Sequence, residues 1–257
     1  MLFFIGMGLW DEKDISLKGY EWARKCDEIF IEFYTSHLGG TTLHKIESLL
    51  EKDVDVLERS DLEENSATII EKAVNKNVAI LVPGDPMIAT THSAISLEAR
   101  KKGVEVSVIY NASILTAVCG LTGLHNYRFG KSASISYPHG EPPKSPINTI
   151  QTNWDIDAHT LLFLDLHPEP MKISVAIGIL EKSDEENALW DSYAVGIARA
   201  GSDIPFVKCD RLQNLKEVDF GEPLHALVIL APSVHFMEYD FLKEFAAAPG
   251  DLENRIS

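Results

Sequence analysis

Val78-Ala79-Ile80-Leu81-Val82-Pro83-Gly84-Asp85-Pro86 is the stretch from which the fold can be read. Its first five residues are apolar without a break, as in a parallel strand covered on both faces. Pro-Gly-Asp-Pro then ends the strand in a turn. Thr90–Lys102 reads as a helix stopped by Gly103, with Arg100, Lys101 and Lys102 in the last turn, where the helix dipole favours cations. Val104–Ile109 is the next strand. Working back toward the N-terminus, Glu63–Val74 reads as helical, Val54–Leu57 as extended and Thr42–Leu50 as helical. Glu28–Tyr34 alternates with period two before the Gly39-Gly40 break. Asp14 stands as the N-cap of a helix carrying Leu17, Tyr20, Trp22, Ala23 and Cys26, and Leu2–Gly6 is a buried strand. This strand–helix alternation predicts an α/β sheet with mainly parallel strands.

Beyond Asn111 the pattern changes. Ser132–Ser136 is a short strand, and Tyr137–Asp157, with its prolines, reads as an irregular surface segment. Three strong strands follow at Thr160–Leu166, Tyr193–Ala198 and Ala226–Leu230, with helical stretches near Met171–Glu181 and Tyr239–Ala247. The expectation is two α/β domains, 1–111 and 112–257.

With 257 residues, 45% of them hydrophobic, the chain is long enough to bury a core in one large or two modest domains. No apolar run reaches the roughly 20 residues of a membrane span. The apolar N-terminus lacks a basic region and meets acid at once, so it reads as a strand, not a signal peptide. Cys26, Cys119 and Cys209 are unclustered, which argues against a disulfide framework or a zinc site and suits a reducing cytoplasm. A net charge of −16 argues against a nonspecific nucleic-acid binder.

Several motifs suggest chemistry. Gly6-Met7-Gly8-Leu9-Trp10-Asp11 follows the first strand, but a dinucleotide fingerprint needs a third glycine where Asp11 stands, and an acid there opposes a pyrophosphate. A tight turn at a strand end explains the two glycines equally well. Phe129-Gly130-Lys131-Ser132 imitates the end of a P-loop, yet His125 occupies the required first glycine and a strand, not a helix, follows. There is no HExxH pair and no GxSxG elbow, so no metal site is expected and the commonest hydrolase signal is absent. His92 and His159 read as structural. Asp85 stands behind a buried strand, where open parallel sheets hold ligands, and can accept hydrogen bonds from an ammonium or ribose hydroxyls. A plain type I turn is the competing reading.

Taken together, the glycine turn Gly6–Leu9, Glu32-Phe33-Tyr34-Thr35-Ser36 and Pro83–His92 carry a family pattern. Gly120-Leu121-Thr122-Gly123-Leu124, Tyr127-Arg128-Phe129-Gly130-Lys131, Leu162–Leu166 and Ala198-Arg199-Ala200-Gly201-Ser202 continue it. From residue 2 to about 247 the chain resembles the diphthine synthases, within the tetrapyrrole-methylase-like class of S-adenosylmethionine-dependent methyltransferases. The Glu-Phe-Tyr-Thr-Ser and Tyr-Arg-Phe-Gly-Lys stretches point to diphthine synthases in particular. The resemblance implies two α/β domains with the cofactor cleft between them, usually in a homodimer. It implies N-methylation of the 3-amino-3-carboxypropyl-histidine of translation elongation factor 2. It also implies S-adenosylmethionine contacts at Leu9, Asp85, Ile88, Ser113, Ile114, Leu166, Ala200 and His225, with S-adenosylhomocysteine as product. The chain departs from the pattern at Ala231-Pro232-Ser233, where a glycine-bearing turn is expected.

No catalytic base emerges from the residues, although His225 or a water remains open for that role. The acceptor's carboxylate calls for a cation, with Arg128, Lys131 and Arg199 as candidates against plain surface placement. The competing functions are a tetrapyrrole (precorrin-type) methyltransferase of the same fold, an NAD-dependent oxidoreductase and a non-catalytic α/β binding module. An acidic chain suits a polycarboxylate tetrapyrrole poorly unless its cleft is locally basic.

Overall fold

Successive side chains of a strand point to opposite faces of its sheet. Along β1 (Leu2–Gly6) this sends Leu2 and Phe4 into one core and Phe3 and Ile5 into another. The computed structural model describes residues 1–257, and the chain divides into units Met1–Ile114 and Leu115–Ser257.

In the first unit β1 is followed by α1 (Leu17–Lys25), β2 (Glu28–Glu32), α2 (Leu43–Leu50), β3 (Asp55–Leu57), α3 (Arg59–Glu63) and α4 (Ser66–Asn75). β4 (Val78–Val82), α5 (His92–Lys101) and β5 (Val106–Ile109) complete it. The strands lie in the order β3-β2-β4-β1-β5, all parallel. Ala23, Ile46 and Leu50 of α1 and α2 pack with Phe3 and Ile5, while Ile69, Ile70, Ala73, Ile95 and Ala99 of α4 and α5 pack with Leu2 and Phe4. A sheet covered on both faces leaves its ligand-binding edge at the carboxyl ends of the strands.

Two details of this unit depart from the sequence reading. The helical stretch expected over Glu63–Val74 is broken, because the N–H groups of Glu64 and Asn65 both return to the Ser60 carbonyl (3.0 and 2.9 Å) and close α3 before α4 begins. The N-cap of α1 is Ser16, whose Oγ accepts from Gly19 N–H at 3.0 Å, and not Asp14, whose carboxylate is used elsewhere.

The second unit opens with α6 (Ile114–Thr122, whose first residue closes the first unit). It continues through β6 (Ala133–Ile135), α7 (Ser145–Trp154), β7 (Thr160–Leu164), α8 (Ile173–Ser183) and β8 (Tyr193–Ala198). β9 (Phe206–Arg211), α9 (Leu212–Leu215), β10 (His225–Ile229) and α10 (Phe236–Phe245) follow. Its sheet runs β6-β7-β10-β8-β9 and is antiparallel apart from the β6–β7 pair.

Tyr137–Asp157 is not wholly irregular, since α7 lies inside it with Pro146, Ile147, Ile150 and Asn153 buried. Pro146 sits in the first turn, where a missing N–H leaves no bond unmade. α6 and β9 lay outside the sequence reading. α6 contains no charged residue and so shows no polar face, and β9 is an edge strand whose pattern is mixed with Lys208, Asp210 and Arg211. No helix is long and apolar enough to cross a membrane.

Candidate functional site

The carboxyl edge of the first sheet is built from three loops. Behind β1, Gly8 bonds back to back with Gly84 of the loop after β4: Gly84 N–H donates to Gly8 O at 2.7 Å, and Gly8 N–H to Gly84 O at 3.3 Å. Both glycines have positive φ, 81° and 77°, which a side chain would strain. The next two N–H groups, of Leu9 and Trp10, donate to Asp14 Oδ2 at 3.2 and 2.7 Å. Asp11, at the third-glycine position of a dinucleotide motif, instead caps a 3-10 turn over Glu12–Asp14, and α1 starts only at Leu17.

Asp85 is half-buried in the second loop. Its Oδ1 accepts from Met87 N–H at 2.9 Å and its Oδ2 from Asn111 N–H at 3.2 Å. The turn is braced from behind by the buried His92, which stacks on Phe4 and whose Nδ1–H donates to Pro86 O at 2.9 Å. Burial lowers the His92 pKa and keeps the ring neutral, and its Nε2 has no hydrogen-bond partner. Asn111, in the third loop, sends its side-chain amide to Gly6 O at 2.9 Å and to Asp14 O at 3.0 Å. Ser113 and Ile114 follow directly and lead into α6. Leu9, Asp85, Ile88, Ser113 and Ile114 therefore lie on adjoining loops. All but the buried Ser113 are partly exposed.

The three remaining candidates share one edge of the second sheet. β10 runs antiparallel to β7 and β8, so its start at His225 meets the end of β8 opposite Ala198, and Phe163 near the end of β7 pairs with Ala226. Leu166 does not end the strand, which stops at Leu164. It lies in a turn organised by Asp165, whose Oδ1 accepts from Leu166 N–H at 2.8 Å and from His167 N–H at 3.2 Å. Ala200 follows Arg199, whose φ of 53° turns the chain off β8.

His225 is not free for proton transfer. Its Nδ1 accepts from Ile173 N–H at 3.3 Å, at the start of α8, and its Nε2–H donates to Glu222 O at 3.2 Å. Burial, helped by the nearby Arg199 and Lys172 charges, pushes its pKa down to about 4, so the ring is neutral and occupied at both nitrogens.

The cation candidates are also largely committed. Arg128 Nη2 donates to Asp157 Oδ2 at 2.8 Å and to Ser233 O and Oγ at 3.0 and 3.1 Å, and Arg128 Nη1 lies 3.8 Å from Glu238. Arg199 Nη1 donates to the carbonyls of Phe220 and Glu222 at 2.7 and 3.0 Å. Lys131 is exposed, as a solvated surface lysine is.

The two family-specific stretches build turns. Buried Glu32 accepts from Tyr34 and Thr35 N–H, each at 3.0 Å, and from the Thr35 hydroxyl, while burial raises its pKa. Next to Arg128, the fully buried Glu238 takes His125 N–H at 2.8 Å, His235 N–H at 2.9 Å and His159 Nε2 at 3.4 Å. Burial alone would raise its pKa, but the bonds from His159, His125 and His235 overcome that and hold it at about 2. Asp14 and Asn111, central to the first sheet's edge, were missed as site residues. Asp14 carried the signal of a helix cap and Asn111 that of a loop end, and nothing local set either apart. No group of three or more metal-ligating side chains converges anywhere in the chain.

The family model for tetrapyrrole (corrin/porphyrin) methylases matches residues 1–200. A diphthine synthase from Archaeoglobus fulgidus is 58% identical over 257 residues, covering all of both chains. One from Methanosarcina acetivorans is 46% identical over 98% of each. A crystal structure of diphthine synthase superimposes with a TM-score of 0.95 at 58% identity, covering 99% of each chain. Relatedness at this level over full length singles out one branch of the broader class, and the chain belongs to the diphthine synthase family, enzymes of the tetrapyrrole methylase class that act as methyltransferases.

Proposed function

We propose that this chain methylates, with S-adenosylmethionine, the amino nitrogen of a 3-amino-3-carboxypropyl side chain on one histidine of translation elongation factor 2. Up to three methyl groups are added, giving diphthine for diphthamide biosynthesis. The observation that carries this reading is the braced edge formed by the loops after β1, β4 and β5. There Asp85 keeps carboxylate lone pairs beyond the two given to Met87 and Asn111, which suits ribose hydroxyls or an ammonium. Leu9, Ile88 and Ile114 are partly exposed on the adjoining loops and suit the methionine chain and adenine ring of the cofactor. Leu9, Asp85, Ile88, Ser113 and Ile114 are the proposed cofactor contacts of the first unit, and Leu166, Ala200 and His225 those of the second.

When bound, S-adenosylmethionine supplies an electrophilic methyl group on a sulfonium sulfur. The side chains of this protein contribute positioning and exclusion of water, which favour a displacement in which the positive charge is spread from sulfur toward nitrogen. The acceptor must be a neutral amine, and with an ordinary α-amino pKa of about 8 a useful fraction is neutral at pH 7. His225, neutral and hydrogen-bonded at both nitrogens, acts by shape and not as a base. After the first and second transfers the ammonium formed loses a proton to solvent and regains its lone pair, and methylation stops at the trimethylammonium, which has neither a proton to lose nor a lone pair. The assay is pure protein with labelled S-adenosylmethionine and elongation factor 2 bearing the aminocarboxypropyl histidine, beside unmodified factor. Label on the modified factor alone supports the reading, and equal label on both refutes it.

The homodimer belongs to the same proposal. α6 carries no charge on a chain of net charge −16, and its Leu115 is 37% exposed, so a second copy seated there meets no like charge from this helix. Light scattering should give twice the 28.5 kDa of one chain. The free cysteines suit a reducing compartment such as the cytoplasm.

A further inference from the structure

Asn111 touches all three loops of the first sheet's edge. Its two amide hydrogens go to different carbonyls, Gly6 O at the end of β1 (2.9 Å) and Asp14 O just before α1 (3.0 Å). Its Oδ1 accepts from Ala112 N–H at 2.8 Å, which shapes the approach to Ser113 and Ile114. Its own backbone N–H donates to Asp85 Oδ2 at 3.2 Å. Asp14, held by Asn111 through its carbonyl, turns its carboxylate back to receive Leu9 and Trp10 N–H. The glycine turn is thereby pinned on both sides, at Gly6 by Asn111 and at Leu9 by Asp14. Gly6 is a glycine for the same reason, since a Cβ there would lie 2.7 Å from the Asn111 Cβ.

The geometry points to Asn111 and Asp14 as positioning residues that set Leu9, Asp85 and the Ser113–Ile114 segment relative to one another for cofactor binding. This rests on the proposed cofactor site. The logic is one of donors and acceptors. The side chain at 111 must give two hydrogens to carbonyls, and the side chain at 14 must receive two. An aspartate at 111 has nearly the same shape but opposes two carbonyl oxygens while ionised, and once protonated it regains one donor.

The experiment measures the Kd for S-adenosylhomocysteine by calorimetry for the intact wild-type, Asn111→Asp and Asp14→Asn proteins, with thermal midpoints recorded alongside. At about pH 8, Asn111→Asp should bind at least about tenfold more weakly than wild type, since two hydrogen bonds give way to repulsion. The deficit relative to wild type should shrink several-fold by about pH 5.5, as the new carboxyl, raised by its acceptor neighbours, takes up a proton. A fold-supporting role alone would show this recovery in the thermal midpoint while the affinity of the folded protein stayed at the wild-type value. Asp14→Asn, whose amide oxygen can still receive the Leu9 and Trp10 N–H groups that share Oδ2 but without the carboxylate's charge, should weaken binding about threefold with only a small change in midpoint. Wild type that binds no S-adenosylhomocysteine would defeat the cofactor reading itself. If wild type binds and both variants stay within about twofold at every pH, the positioning role is refuted while the cofactor site stands. Failure of Asn111→Asp to fold, together with unchanged affinity in folded Asp14→Asn, likewise refutes it by assigning these residues to stability alone.

Discussion

Replacing Glu238 by glutamine should destabilise the protein by about 3 kcal/mol at neutral pH, and that difference should shrink in acid. The carboxylate is fully buried and accepts from His125 N–H, His235 N–H and the His159 ring, with Arg128 Nη1 3.8 Å away. His159 cannot turn its acceptor toward a glutamine amide without losing Ala231 N–H, which donates to its Nδ1 at 2.9 Å. One end of the glutamine side chain must therefore aim a donor at a donor. The same arrangement holds the Glu238 pKa at about 2 against an ordinary 4.5. At about 1.4 kcal/mol per decade, the ionised group is worth on the order of 3 kcal/mol. Because the folded pKa is the lower one, this stabilisation is complete above about 4.5 and is lost as pH falls through about 2. By about pH 3.5 roughly 1–2 kcal/mol of it should be gone. Urea unfolding of wild type and Glu238→Gln between these pH values measures the difference directly. A gap below about 1 kcal/mol at pH 7, or one that does not change down to about pH 3.5, would refute the reasoning.

Three further outcomes follow from named contacts. Asp85→Ala should weaken S-adenosylmethionine binding by about one to two decades while the protein stays folded, as calorimetry and circular dichroism would register; unchanged affinity makes Asp85 a turn residue only. The His225 ring should stay neutral in its Nε2–H form and titrate near pH 4 in a nitrogen-15 NMR series, adding stability above 6.5 that is lost as pH falls toward about 4; titration near 6.5 contradicts its double hydrogen bonding. Gly130→Ala would bring a Cβ within 2.2 Å of Asn153 Oδ1, which accepts from Lys131 N–H. Its urea midpoint should fall by the equivalent of about 1–3 kcal/mol, and an unchanged midpoint would mean that the Asn153 side chain yields freely.

The strands of the first sheet were legible in the residues alone. Strands buried on both faces, such as Leu2–Gly6 and Val78–Val82, leave unbroken apolar runs, and the glycines and prolines behind them mark turns that only those residues make easily. The family was legible for a related reason, because several of its motifs, such as Gly6–Leu9 and Pro83–His92, lie at the carboxyl ends of such strands. Elements without a one-sided pattern were not legible. Uncharged α6, edge strand β9 and proline-led α7 draw their order from what they pack against or pair with. Tertiary structure alone decided where polar side chains spend their hydrogen bonds. Asp14 reads as a cap for the helix beside it, yet its carbonyl meets Asn111, 97 residues away, and its carboxylate serves the glycine turn. Glu238 and His159 meet across 79 residues, and Arg128, in sequence either one of three candidate cations for a substrate or a plain surface residue, is taken by Asp157 and Ser233. Periodicity along a chain reports which face of an element is buried, whereas a polar group's partner is chosen by which distant loops the packing brings within 3 Å of it.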